Sequence, residues 1–386
     1  MGLLSGAWCP VLVVTASSFT SLPVAYFLNK LDAMKDDRLV FVTGIVCMIL
    51  ALLIPALCIR RFFRNVDPLI YAIIPFAWAA VWSLLIGLEL DGFIAGVISF
   101  YVEHGEPYFK TAYGTSILFW DGFIHFPLYL AVIALYCHRR SYREVGLFWV
   151  GSIMNSMVVF MPGNVIGTFD VKWSYLLNIP YMLIPLWAGF KFFRERPMYI
   201  KSYYIVKPLW TRRFDCLFVV YFIGAGALAV FRGLAVLDCK SALMSDYISN
   251  IEPYLKDPNG YPKMQMLCYM YYYLFYYLCA IYGMMHLKQG WLADWALLHA
   301  GASLQGQFVH ILGSMHSRTA PSLRSPTTGL NGLAFWTINL ILLVVPQLFA
   351  WRCVRDPENC GRTYTIELAE PRNSTENSEN YRTKRD

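Results

Sequence analysis

Charge is scarce in this chain. Of its 386 residues, 15% are Asp, Glu, Lys or Arg, where soluble globular proteins carry about 25%. A shortfall of that size excludes a water-facing surface over most of the length. Signatures of enzyme chemistry are missing too: there is no P-loop, no GxSxG, no HExxH and no acidic run suited to metal-assisted phosphoryl transfer. The ten cysteines form no CxxC and no Cys/His cluster, so no metal site and no cofactor is expected. Cys47, Cys58, Cys137, Cys216, Cys268 and Cys279 sit in or beside apolar runs and read as small hydrophobes. Cys353 and Cys360 follow the last apolar run, where S-acylation is an option. The first apolar stretch has no basic segment before it and is too long for a cleaved signal, so it is expected to stay as a span. MGLLSG places Ser at position 5 rather than 6, a mismatch to the myristoylation pattern.

Apolar residues are abundant instead. They make up 57% of the chain, and aromatics 17%, which indicates a membrane protein. With ~20 apolar residues per transmembrane helix, the hydropathy pattern predicts an all-α polytopic fold with about ten spans. These are 9–29, 39–59, 68–90, 115–136, 145–166, 175–193, 214–237, 263–287, 293–315 and 332–353. Residues 354–386 are polar and lack periodicity, which predicts a disordered tail. The net charge of +7 is read as membrane orientation and not as nucleic-acid affinity. Placing both termini on one side puts 21 Lys and Arg there and 10 on the other, with Arg232 inside a span. This bias predicts cytosolic termini and an unused sequon at Asn373-Ser374-Thr375. The basic, aromatic linker 194–213 is an ordinary cytosolic loop or a segment resting on anionic headgroups.

The chain repeats itself. EPYFK at 106–110 recurs as EPYLK at 252–256, an offset of 146 shared by Gly87-Leu88 with Gly233-Leu234 and by Gly114 with Gly260. The offset then grows to 150, pairing Gly151 with Gly301, Gly163 with Gly313 and Asn155 with Gln305. Further on, Ile184-Pro185-Leu186 resembles Val345-Pro346-Gln347. The predicted domains are a two-span hairpin (1–67), repeat 1 (68–193), the linker (194–213), repeat 2 (214–353) and the tail (354–386). Each repeat has four spans, so the two are parallel rather than inverted.

Within this frame, GEPYFKTAYG, WDGFIHFPLYL, GLFWVGSIMNSMVVFMPGN, EPYLKDPNGYPKMQMLCYMYY, DWALLHAGASLQGQF and SMHSRT resemble the transmembrane 6 superfamily over roughly residues 15–355. DWALLHAG and GSMHSRT lean toward the branch linked to hepatic lipid export. The resemblance implies two tandem EXPERA domains, the four-helix membrane bundles shared with emopamil-binding protein, a sterol isomerase, and with the sigma-2 receptor. It implies a buried, lipid-accessible pocket for a membrane lipid or sterol. It also implies endoplasmic reticulum and ER–Golgi intermediate membranes, with lysosomes as the alternative, and a part in triglyceride and lipoprotein secretion beside lipoprotein-assembly proteins.

Ionisable residues at membrane depth each cost about 2.5–3.5 kcal/mol or more, so each needs a partner or a wet cavity. Asp121 and His125 are four residues apart on one helix face and are candidates for a lipid pocket or a proton shuttle. Their order is the reverse of the sterol isomerase's pair. At a constant offset of 146 the second repeat has Leu267 and Tyr271 instead. Glu89 and Asn155 are further pocket candidates; Glu89 with Asp91 otherwise reads as solvated, and Asn155 with Gln305 as helix-to-helix hydrogen bonding. Arg232 calls for snorkelling or a partner on another span. The paired loop motifs Glu106-Pro107-Tyr108 and Glu252-Pro253-Tyr254 read as staples seating each bundle, their tyrosines at the headgroup level. His299, His310 and His316 show no metal-ligand spacing.

Overall fold

In a computed structural model, residues 8–195, 209–286 and 289–355 are described. All regular structure among them is helical. Ten long helices correspond in order to the ten expected spans. They are α1 (Trp8–Leu28, broken near Thr20), α2 (Asp37–Phe62), α3 (Pro68–Leu90), α4 (Ala112–Cys137), α5 (Arg143–Ile166), α6 (Trp173–Arg194), α7 (Arg213–Val236), α8 (residues 261–285), α9 (Leu292–Met315) and α10 (Gly329–Arg355). Nearly all of the tail, and most of the linker, lie outside the described residues. Cys353 is fully buried, which removes it as an acylation site; Cys360 is not among the described residues.

Eight of these helices are long and apolar enough to cross a membrane. The other two, α8 and α9, match them in length but carry more polar side chains. Gln265 on α8 and His299, Gln305, Gln307 and His310 on α9 are all buried. Their polarity faces protein, so it lowers hydropathy without meeting lipid. The outermost helices show the opposite pattern. On α2, Ile54 and Leu57 are each 68% exposed, as expected of side chains facing acyl chains.

Local chemistry sets the helix starts. Asp36 caps α2 by accepting the Arg38 N–H at 2.9 Å. Asp67 caps α3 from Leu69 at 3.0 Å, with Pro68 in the first turn where its missing N–H costs nothing. Thr111 caps α4 from Gly114 at 2.9 Å. The spans then gather around two cores. One unites the hairpin α1–α2 with α3–α6, and the other belongs to α7–α10.

The cores join where α5 crosses α9. A Cβ on Gly151 would lie 1.7 Å from the Leu298 carbonyl oxygen, and one on Gly301 would lie 1.9 Å from that of Phe148. The two repeat-equivalent glycines thus face each other's helix, and only hydrogen fits. Along the same seam, Asn155 Nδ2 donates to Gln305 Oε1 at 2.6 Å, and Gln305 Nε2 donates to Ser156 Oγ at 3.1 Å. Tyr113 stacks on Tyr261 at 4.5 Å. At one end, buried Arg143 grips Asp294 in a two-pronged pair at 2.9 and 2.7 Å. At the other, Asp91 meets His316 at 3.2 Å and Arg318 at 3.4 Å. Each repeat therefore completes the other.

The equivalence of the repeats needs one revision. Gly114 lies in the first turn of α4, whereas Gly260 precedes α8 with φ +81°. Residues 257–260 make the second repeat longer there. Both helices then open into a π turn, Asp121–His125 in α4 and Tyr269–Tyr273 in α8. The counterparts of Asp121 and His125 are thus Tyr269 and Tyr273, not Leu267 and Tyr271.

Two variants test the seam. Gly301→Val forces a side chain into a backbone carbonyl and should cost about 3 kcal/mol or more, read as a large loss of thermal stability in detergent; Gly224→Val, with open space around it, should match wild type. Arg143→Ala, which removes this buried two-pronged pair, should cost about 3–5 kcal/mol, and Arg143→Met with Asp294→Leu should recover most of it.

Candidate functional site

A cavity of about 380 Å³ lies inside repeat 1, within the size range of small-ligand pockets. Its walls are α3, α4, α5 and α6, with α2 closing the lipid side. Most of the lining is aliphatic or aromatic. Phe76 and Tyr181 stack at 4.3 Å, and Trp78 on Trp82 at 5.2 Å. Polar groups enter at two places.

The first is the π turn of α4. The amide of Phe126 reaches back five residues to the Asp121 carbonyl, and the widened turn brings Asp121 and His125 onto the cavity wall. His125 Nδ1 lies 3.0 Å from Asp121 Oδ1, and His125 Nε2 lies 2.8 Å from Ser152 Oγ. Trp120 Nε1 donates to Ser152 Oγ at 2.9 Å. This network fits a neutral imidazole with its proton on Nδ1, the carboxylate fixing the tautomer. Both ring nitrogens are engaged, and His125 is 3% exposed against 17% for Asp121. Both side chains line the cavity, and the carboxylate is the more exposed of the two.

The second place lies at the end of the cavity. Glu106 is 2% exposed yet lines the space. Its Oε1 accepts the Asn178 amide at 2.5 Å, and the hydroxyls of Tyr108 and Tyr101 face the same carboxyl. Burial pushes this carboxyl up to about 8, with the facing Tyr108 hydroxyl, the Asn178 amide and the facing Tyr101 hydroxyl opposing. Pro107 turns the chain straight into the short helix Pro107–Lys110, which drives Tyr108 fully into the core.

Repeat 2 repeats this corner and plugs it. Glu252 accepts from Asn339 Nδ2 at 2.8 Å, as Glu106 does from Asn178. Tyr247 occupies the place of Tyr101. Burial again acts to raise the Glu252 carboxyl, but here Arg232 and His310 reverse it and hold the group well below the usual carboxylate range. Arg232 donates to Glu252, to Asn339 Oδ1 at 3.1 Å and to Tyr247 at 3.0 Å. His310 Nε2 lies 3.4 Å from Glu252. The space left beside Arg232 is about 10 Å³.

Of the expected pocket residues, Asp121 and His125 line the cavity, while Glu89 and Asn155 lie elsewhere. Glu89 Oε2 accepts the amides of Val97 and Ile98 at 2.8 and 2.7 Å, tying the following loop to the end of α3. Asn155 points into the seam, where Tyr273 and Gln305 also bind it. The loop motifs are more than staples. Glu106 is a cavity residue, and Tyr108 and Tyr254 are buried inside the protein, because the Glu-Pro-Tyr turn folds inward against the bundle. Arg232 does not snorkel; it is fully buried on its partner. The available signal for Glu106 was the same Glu in both repeats, beside an intramembrane Arg in only one. Among the described residues no group of His, Cys, Asp and Glu is arranged to hold a metal.

Residues 20–203 match the family model described as "Transmembrane 6 superfamily member 2-like, transmembrane domain", which covers most of the hairpin and all of the cavity-bearing repeat. The chain is 39% identical over 352 residues to mouse (Mus musculus) Transmembrane 6 superfamily member 2, covering 89% of this chain and 92% of that protein. The human (Homo sapiens) protein of the same name is 39% identical over 355 residues, covering 89% and 93%. No solved structure matches.

The raised Glu106 carboxyl has a measurable consequence. Folding lifts it from the ordinary glutamate value of 4.5 toward about 8, so the folded state holds an extra proton between those values. Stability therefore falls as pH rises through that window. The Tm of the wild-type chain should drop from about pH 5 to about pH 8.5, and Glu106→Gln should flatten that part of the profile; equal slopes for the two proteins would show that Glu106 does not titrate there.

Proposed function

The chain belongs to the transmembrane 6 superfamily, and from that premise we propose that it is an endomembrane regulator of lipid homeostasis. It takes a sterol or other membrane lipid into the repeat 1 cavity and supports neutral-lipid loading and lipoprotein secretion. The observation that carries this reading is the asymmetry of the repeats: a cavity of about 380 Å³ opens inside repeat 1, whereas the space beside Arg232 in repeat 2 is about 10 Å³. An apolar cavity maintained in a membrane bundle whose sister is filled is suited to a ligand. The aromatic walls favour a rigid fused-ring body, which loses little conformational freedom on binding. The class of process, lipoprotein and triglyceride export, comes from the family resemblance and from the lean toward its hepatic branch. The Lys/Arg bias supports cytosolic termini, and the family resemblance supports endoplasmic reticulum or ER–Golgi intermediate membranes, with lysosomes as the alternative.

A sterol isomerase-like reaction is the second reading, favoured by Asp121 and His125 meeting on the cavity wall at 3.0 Å. Against it, His125 has no nitrogen left for substrate in this arrangement, so a proton shuttle would have to run through Asp121 alone. Lipidomics of cells lacking the protein separates the readings. Rescue by wild type, by Asp121→Asn, and by Met157→Trp, which fills the cavity from α5, should be full, partial and absent in that order at matched protein levels. Build-up of one unisomerised sterol cured by wild type but not by Asp121→Asn would favour the enzyme. Full rescue by Met157→Trp would leave a scaffold that needs no ligand.

A further inference from the structure

The plugged corner of repeat 2 shows what the open corner of repeat 1 lacks. By the repeat offset, Arg232 stands where repeat 1 has Ile86, beside the matched glycines Gly233 and Gly87. His310 stands where repeat 1 has Phe160, three residues before the matched pair Gly163 and Gly313. Ile86 and Phe160 both line the cavity. The acceptor side of the corner is retained in both repeats: Glu106 with Asn178 and Tyr101, and Glu252 with Asn339 and Tyr247. What differs is the source of the donor. Repeat 2 brings the Arg232 guanidinium to its carboxylate from within the chain. Repeat 1 keeps the same polar corner, 2% exposed at Glu106, and places two apolar side chains and an open space where the donor would be.

We propose that Glu106, Asn178 and Tyr101 form the head-group subsite of the repeat 1 cavity and take the hydroxyl of a sterol-like alcohol in the position that the Arg232 guanidinium fills in repeat 2. This rests on the reading that the cavity holds a lipid and specifies which end of the lipid goes where. A hydroxyl suits the corner because it both donates and accepts. A protonated carboxyl offers one O–H donor beside its remaining acceptor positions, so the bond from Asn178 leaves capacity for a ligand. The rest of the ligand then lies along the aromatic slot between Phe76, Tyr181 and Trp82, toward Asp121. Repeat 2 cannot take the same ligand, because its own arginine occupies the subsite.

The test is equilibrium binding of cholesterol and of its 3-deoxy analogue to the purified full-length chain in detergent micelles. Wild type should prefer cholesterol by about tenfold or more, the scale of one buried hydrogen bond left unmade. Glu106→Leu should reduce cholesterol binding to the level of the deoxy analogue. Ile86→Arg, which supplies repeat 1 with the plug of repeat 2, should abolish binding of both while keeping or raising Tm, which separates blockage from misfolding. Equal binding of the two sterols by wild type, or a preference that survives Glu106→Leu, would overturn the subsite and leave the cavity reading standing. Undiminished binding by Ile86→Arg would overturn the equivalence with Arg232. Binding of neither sterol by wild type would remove the sterol subsite together with the sterol form of the cavity reading.

Discussion

A carboxyl group removed from water must receive a donor or keep its proton. The two Glu-Pro-Tyr turns bury a carboxyl at the same place in each bundle, and each repeat meets the constraint differently. In repeat 2 a guanidinium, an imidazole and an amide surround it, and the charge is held in a closed cluster. In repeat 1 a single amide and two phenols remain, and the carboxyl tends toward its neutral form. A neutral acid beside an apolar space is open to a further hydrogen-bonding group, whereas a carboxylate closed among its own partners is packing. Ile86 and Phe160 line the cavity of repeat 1, and at the matching positions Arg232 and His310 close on the carboxylate of repeat 2.

The seam between repeats is what allows them to diverge. Gly151 and Gly301 let α5 and α9 cross at backbone contact, and the Asn155–Gln305 bond, the Arg143–Asp294 pair and the Asp91 contacts fix the register. With orientation and depth secured there, and with a well-filled core in repeat 2, repeat 1 can maintain an open interior. The hairpin α1–α2 contributes by sharing the core of repeat 1 and closing the lipid side of the space. Because α2 packs on one face only, its outer face is free to match acyl chains.

Much of this was legible in the chain. Composition and hydropathy specified the membrane class and ten helices, since lipid demands long apolar segments with satisfied backbones. The repeated motifs pointed to the glycines that meet where α5 crosses α9 and to the two buried Glu-Pro-Tyr turns, and the spacing of Asp121 and His125 placed them on one face. The family followed from ordered motifs in both halves. Arg232 and the doubled Glu-Pro-Tyr turns were visible as oddities, each pointing to a partner that the sequence did not name.

Which polar residues share a space was decided only by the tertiary structure. Glu89 and Asn155 have the chemistry of pocket residues, yet one ties a loop and the other bonds across the seam, because position along a helix does not say which neighbour that face meets. Glu106 looked like a loop residue and became a cavity residue when its turn folded inward against α6. The pairing of Arg232 with Glu252, 20 residues away and on a different element, depends on how the chain returns to the bundle. Periodicity acts locally and survives in sequence, so the helices and the duplication could be read directly. A cavity is the space that packing leaves between distant segments, and that space has no local record in the chain.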